Sequence, residues 1–541
     1  MKTRLIIFAL FLVQQIQAAT YYVDFATGNN ANNGTSTSTP WQHEPGDVNA
    51  TGVSDGTTLS AGDTVKFKGG VVYLGGVICN RSGSFGSPIT YDGNYAGDWG
   101  TGKAIIDREY LINGVGIAAS GARGHLVIKN FEIRNVGGWA DDATNALSAA
   151  AGTYTNTTPA VGTAIDFSTV SGHTNIYVSD IYAHRLGGWR NTAGWTAATV
   201  SGGAIFFKNS GLITITNCEM TKMQVALGLY SQSGNYTTDI LIVSNNIHNY
   251  ITWGMDLAQQ TDFSVIQNVN IRGNRIHDYA EFVSGNWAGV GEWPHTDGIF
   301  VRNAGLRGAW TNLNIFHNQF YCDGNTGNGG TACIFVSQGP SCNIYSNLFN
   351  VDSQTRFIGV EYPNLATNSQ VVNITNNTFI GNPPMISLAG ETNSAYRRVV
   401  IRNNIFRKLS GQSQNGILLN LQATNVDPYE MDNNVYFDPD WSSSLKYVMV
   451  TRSTGYSTLA TVQGLGFDLL SLYSDPAFTT LSGTPSLTDT RLTASSPARG
   501  LAQNGGDAGW LPYEAGGSST TYRGYSTGGR VQLIGPGRLT Q

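Results

Sequence analysis

Short runs of Val, Ile, Phe and Thr alternate with polar residues along most of the chain and stop at Asn, Gly or Ser, with no sustained 3.6-residue period. The pattern predicts strands. It also repeats, because an asparagine returns after each run, as in Val243-Ser244-Asn245-Asn246-Ile247, Ile271-Arg272-Gly273-Asn274-Arg275-Ile276 and Ile344-Tyr345-Ser346-Asn347-Leu348-Phe349. From Asn217 through Asn245, Asn274, Asn318, Asn347, Asn377 and Asn404 to Asn434 the steps are 28, 29, 44, 29, 30, 27 and 30 residues. A step clustering just under thirty in helix-free sequence is a strand repeat, one coil per unit.

Such a coil holds three short strands and three turns, which predicts an all-β fold, a right-handed parallel β-helix. Asparagine suits one fixed turn of every coil because its side chain tolerates αL geometry and can bond to the next rung's asparagine as a ladder. Earlier rungs fit more loosely, at Asn130 and Asp180. The asparagines are therefore read as scaffold.

A solenoid is quasi-one-dimensional, so 541 residues need not mean several globular domains. Charged residues are only 12% and glycines number 66, which suits a turn-rich β chain. Residues 1–19 read as a secretory signal: Lys2 and Arg4, an apolar stretch Leu5 to Val13, then Ala18 and Ala19. The apolar run is too short to span a bilayer, so an exported protein without a membrane anchor is predicted, extracellular or periplasmic. Net charge is −5, or −7 once Lys2 and Arg4 are removed, and no basic stripe is present for nucleic acid. Five cysteines leave at least one thiol unpaired, and Cys322 with Cys342 is the pair that adjacent coils could bring together. The predicted order is an N-terminal cap at 20–105, coils at 106–440 and a C-terminal tail at 441–541 packing on the solenoid, the whole a monomer.

Tyr21-Tyr22-Val23-Asp24, Gly62-Asp63-Thr64-Val65 and Arg491-Leu492-Thr493-Ala494-Ser495-Ser496-Pro497 resemble the opening and closing segments of secreted β-helix proteins of the pectate-lyase-like superfamily. The resemblance implies the fold and a polysaccharide substrate, and leaves the reaction open because this scaffold hosts lyases, hydrolases, epimerases and adhesins.

Function should lie where the repeat is interrupted. Insertions are read at 138–165, 187–202 and 280–296, and they carry Trp189, Trp287, Glu292, Trp293 and His295. Loop tryptophans beside glycine and acidic residues can stack on sugar rings. One strand from successive coils aligns as Gly203–Lys208, Ala226–Ser231, Trp253–Ala258, Asp297–Arg302, Ala332–Ser337 and Ile358–Pro363. Alternation sends its third and fifth positions inward and its fourth and sixth outward. The outward stripe then contains Phe206, Asp256, Phe300, Phe335 and Glu361 with Lys208 and Arg302.

His295-Thr296-Asp297-Gly298-Ile299 resembles the Asn-Thr-Asp-Gly signature of polygalacturonases, which implies a catalytic role for Asp297. The chain departs from that family in the next two coils, at Thr331-Ala332-Cys333-Ile334 and Phe357-Ile358-Gly359-Val360, so only the location of the site carries over. Glycoside hydrolysis needs two carboxyl groups, ~5 Å apart for retention or ~6.5–9.5 Å for inversion. The expected assignment is Asp297 as acid or nucleophile, Asp256 as partner, Glu361 or Glu292 in reserve, and Arg302 and His295 as neighbours that set pKa or orient substrate. Trp189, Trp253, Trp287, Glu292, Trp293, Lys208 and Phe300 are expected to bind substrate. No cofactor is needed for that reaction. A lyase acting on a uronate polymer is the alternative, with Arg302 and Lys208 as cations and Asp256, Asp297 and Glu361 as possible Ca²⁺ ligands. A non-catalytic glycan-binding adhesin would keep the tryptophans without needing three outward carboxylates.

Overall fold

The computed structural model describes residues 18–111, 114–137, 162–186, 202–279, 296–303, 309–322, 331–337, 341–351, 356–362, 370–382, 385–390, 397–410, 416–421, 430–441, 446–451, 454–482, 484 and 489–513. The chain is a parallel β-helix. One sheet of 13 described strands and a second of 24 run its length, and neighbours in each pair in parallel except Lys446–Thr451 with Thr454–Tyr456. Parallel pairing begins with Thr20–Val23 on Thr64–Phe67, inside the stretch read as a cap, and continues past residue 440 to Leu472–Tyr473. No helix among the described residues is long and apolar enough to cross a membrane.

A coil consists of a strand in the first sheet, a two-residue turn, and two strands or one long strand in the second. Tyr236–Val243, Ser244-Asn245 and Asn246–Gln259 form one such coil. The turn divides between two positions the roles that the repeat had assigned to one asparagine. Its first residue takes the αL conformation: Asn130 (φ 62°), Asp180 (56°), Asn217 (53°), Ser244 (59°), His317 (54°) and Asn376 (56°) all stand there. Its second residue is the buried ladder asparagine, from Asn245 to Asn434. Asn217 therefore belongs to the αL column, and Cys218 occupies the ladder position beside it, its N–H donating to Asn245 Oδ1 at 3.0 Å.

Each ladder amide bonds to the next. Asn245, Asn274, Asn318, Asn347 and Asn377 donate both backbone N–H and Nδ2 to the Oδ1 of the following asparagine at 2.9–3.2 Å. The ladder ends on Asp468 and Ser471, which receive Asn434 Nδ2 and N at 2.9 and 2.8 Å. Two residues beyond each later ladder asparagine an aromatic ring faces inward. Phe320, Phe349, Phe379, Phe406 and Tyr436 stack at 4.8–5.1 Å with planes within 8°. Each stacked pair adds about 0.5–1.5 kcal/mol beyond its burial. Near the chain's far end Trp510 packs outside on Leu348 and Ile380, its backbone N–H donating to Thr378 Oγ1 at 3.1 Å.

Candidate functional site

The second strand of each coil in the long sheet carries the stripe. Its register aligns Gly203, Val225, Trp253, Asp297, Ala332 and Arg356 at the first position. Two rungs differ from the sequence alignment. Leu227 and Leu229, not Gly228 and Tyr230, occupy the core positions of their rung, a slip of one residue. Ile358 pairs with Ile334, which moves Glu361 from the fourth position to the sixth, opposite Ser337. Third and fifth positions are core throughout. Second positions such as Ala204, Ala226 and Cys333 are buried as well, because the ladder skips a residue there and the strand bends.

At the centre of the stripe Arg302 grips Asp256. Nε donates to Oδ1 and a terminal nitrogen to Oδ2, each at 2.9 Å. Burial pulls the Arg302 guanidinium down, but the fork to Asp256 outweighs it and raises the group overall. Tyr230 donates to the same carboxylate, and burial, then the Asp256 charge, push its phenol well up. Gly228 leaves the space this needs, since a Cβ there would stand 2.7 Å from the Tyr230 hydroxyl. The guanidinium lies over Trp253 and Phe300, 5.3 and 5.5 Å from their ring centres, and Arg356 lies 5.3 Å from that of Phe335. Trp253, Phe300 and Phe335 thus form a tilted aromatic row across three rungs.

Solvent-facing carboxylates were expected here, and the structure corrects that expectation. Asp256 is 1% exposed and Asp297 0%. Asp256 spends both oxygens on Arg302. Asp297 pairs in register with Trp253 and Ala332, and its charge reinforces burial in raising the buried Tyr250 and Cys333. From register, the two Cα atoms differ by one rung and three residues, ~11 Å, and Asp256 is bonded to Arg302, on the side away from Asp297. Glu361 lies two rungs and five residues from Asp297, ~19 Å, beyond the reach of a catalytic pair. Lys208 is three rungs from Arg302, in the same column. The three carboxylates offered for Ca²⁺ do not converge: no group of three or more His, Cys, Asp or Glu among the described residues could hold a metal. Cys322 is not bonded to Cys342, whose buried thiol is pushed up to about 12. His295, Trp189, Trp287, Glu292 and Trp293 lie outside the described residues.

All three insertions leave the coil at one corner, between the two strand columns of the long sheet. The chain departs after Phe131–Val136, Tyr182–Leu186 and Arg275–His277 and returns at Gly162–Phe167, Gly203–Lys208 and Asp297–Asn303. Between the second and third insertions, Glu219–Ser231 and Asn246–Gln259 pass the same corner as unbroken strands, with a register shift between Met223 and Val225.

The strand column before that corner carries a second polar row that the sequence reading missed. Glu132 meets His184 at 3.1 Å, Glu219 meets His248 at 3.3 Å, and the rings of His248, His277 and Tyr321 stack at 4.9 and 4.4 Å. The signal was present: His248, His277 and Tyr321 each stand three residues after a ladder asparagine, so they fall in one outward column.

No protein-family model matches the chain, and comparison with curated proteins finds no match. Among solved structures it is similar to a GH136 lacto-N-biosidase from Eubacterium ramulus, at 12% identity and TM-score 0.44 over 78% of this chain, and it spans 64% of that protein's length. A rhamnogalacturonan lyase is similar at 13% identity and TM-score 0.42, covering 88% of this chain and 97% of that one. A PL6 family alginate lyase is similar at 12% identity and TM-score 0.43, covering 84% and 57%.

Proposed function

We propose that this β-helix is an exported carbohydrate-active enzyme that hydrolyses a polysaccharide held along the insertion corner. The observation that carries the reading is that the chain leaves the coil for three insertions at the corner that also holds the aromatic row Trp253, Phe300 and Phe335 and the buried carboxylate of Asp297. Asp297 is assigned the proton transfer, as general acid or base. Asp256 acts through Arg302, fixing the guanidinium against the aromatic row. The second carboxylate is assigned to Glu292, five residues before Asp297 in the third insertion.

Elimination from a uronate asks a cation to neutralise the sugar carboxylate. Arg302 is poorly placed for that task, since its fork is already bound to Asp256. This favours hydrolysis. Incubating the protein with a panel of neutral and uronate polysaccharides, while following reducing ends and ultraviolet absorbance together, tests the reading. New reducing ends without the absorbance of an unsaturated uronate are expected; both signals together make it a lyase, and neither makes it a binding protein.

A further inference from the structure

Buried polar atoms in a folded protein are almost always paired, so a cluster that is not paired calls for a partner from outside. Gln224 is 1% exposed and Thr252 0%, and neither Nε2 nor Oε1 of Gln224, nor Oγ1 of Thr252, has a hydrogen-bond partner. The indole Nε1 of the adjacent Trp253 is buried and equally unpartnered. These residues are neighbours along and across two adjoining strands. Met223 pairs with Tyr250 and Val225 with Trp253, so Gln224 lies opposite Ile251 and Thr252 on adjoining rungs, at the register shift in the insertion corner. Bulges re-aim side chains and are over-represented beside active sites.

We propose that Gln224, Thr252 and the Trp253 indole form a subsite for the hydroxyl groups of a neutral sugar residue. The inference rests on the polysaccharide reading above and adds the substrate class. A carboxamide, a hydroxyl and an indole N–H offer donors and acceptors with no net charge, which matches sugar hydroxyls, each of which both donates and accepts. A uronate carboxylate would instead require a cation, and the guanidinium over Trp253 is occupied by Asp256. The ring of Trp253 adds apolar surface beside its N–H, the combination by which tryptophan serves sites that are partly apolar and partly wet.

Two near-isosteric variants of the full chain, Thr252→Val and Gln224→Met, test the subsite. Calorimetric titration uses neutral hexasaccharides (cello-, xylo- and manno-hexaose) and hexagalacturonate as probes, with melting temperature recorded for each unliganded protein. A neutral probe should bind the wild type, and each variant should weaken it roughly tenfold, the scale of one lost hydrogen bond. The unliganded variants should melt at or above the wild-type temperature, because each loses a polar atom that folding had stripped of water. Variants that melt several degrees lower and bind unchanged would overturn the proposal, since the groups would then be holding the fold. Binding confined to hexagalacturonate and indifferent to both substitutions would overturn the subsite while leaving the polysaccharide reading intact. Failure of every oligosaccharide and polymer to bind or be cleaved would remove that reading and the subsite with it.

Discussion

Two corners of the same coil follow opposite rules. At the ladder corner the turn stays two residues long from Asp180-Ile181 to Asn433-Asn434, and the side-chain amides of its ladder asparagines are hydrogen-bonded on both sides. Asn318 donates from Nδ2 to the carbonyls of Ile271 and Phe316 and to Asn347 Oδ1 at 2.9–3.1 Å, and its own Oδ1 accepts N–H and Nδ2 of Asn274 at 3.0 and 2.9 Å. An inserted residue would uncouple every one of these bonds. At the insertion corner the connection ranges from an unbroken strand to a long insertion, the register slips, and Gln224, Thr252 and Trp253 keep unpaired polar atoms. Saturated hydrogen bonding fixes length and resists change; unsaturated hydrogen bonding marks where the chain has room to vary and to bind.

The contrast is broken most directly at the ladder. Asn318→Leu should cost about 3 kcal/mol or more, because it strands Asn274 N–H and takes the Nδ2 donor from the Ile271 and Phe316 carbonyls, each worth roughly 1–3 kcal/mol. Denaturant unfolding measures the loss. A cost near that of Thr252→Val would mean that the two corners do not differ in kind.

The next effect belongs to the site. Asp297→Asn should lower turnover by ~10²-fold or more, the contribution of a lost acid or base. Asp256→Asn should lower turnover and stability together, because it leaves Arg302 unpaired; about 2 kcal/mol is expected, less than the 3–5 of a fully buried pair, since Arg302 keeps 29% exposure. Thermal melts beside initial rates separate the two. If both aspartate variants stay active while Arg302→Ala does not, elimination replaces hydrolysis.

Much of the scaffold was legible in the sequence, and the reason is periodicity. A thirty-residue step with asparagine at a fixed turn leaves few folds open, and the third and fifth positions of the stripe, such as Met255 and Ile299, are core as alternation requires. The one-residue slip at Val225 was not legible, because Ala226-Leu227-Gly228-Leu229 alternates acceptably in either register and only the neighbouring rung decides it. Burial of Asp256 was hidden for a related reason: an outward position counts as exposed only until an arginine from the next rung closes over it. Gln224 and Thr252 carry no motif at all; their meaning comes from lacking partners, which only coordinates reveal.

A third effect sharpens the ladder side. Asp468 caps the ladder, accepting Ser471 Oγ, Asn434 Nδ2 and the Tyr436 hydroxyl at 2.5–2.9 Å, yet burial outweighs these donors and pushes its carboxyl up to about 6. An acid whose pKa is raised by folding binds its proton more tightly in the native state. Its stabilising share is therefore complete below about pH 4 and is lost as pH climbs through about 6, amounting to about 2–3 kcal/mol for a shift of this size. Asp468→Asn should flatten the fall in melting temperature between pH 4 and 7. An identical pH profile in the variant would show that the cap does not titrate there.

The smallest effect lies on the row before the insertion corner, where polar groups are paired but open to water. Glu219 is held below the usual carboxylate range by its hydrogen bond to His248, and its side chain is 49% exposed. Burial lowers His248, but bonds to Glu219 and Asn249 and the nearby Asp278 charge outweigh it and raise the ring overall; Thr221 and the stacked His277 complete its surroundings. The pair stabilises the fold between those two titrations. Its contribution disappears as pH falls through the lowered Glu219 value and, separately, as pH rises through the raised His248 value. At this exposure it should amount to about 0.2–1 kcal/mol, within the range of surface ion pairs. Following the His248 ring by NMR gives the sensitive test: in Glu219→Gln its titration midpoint should move to lower pH while the melting temperature hardly changes. A midpoint that stays in place would mean that the ring answers to Asp278 and Asn249 instead, and that pairing on this open row contributes nothing the solvent does not already supply.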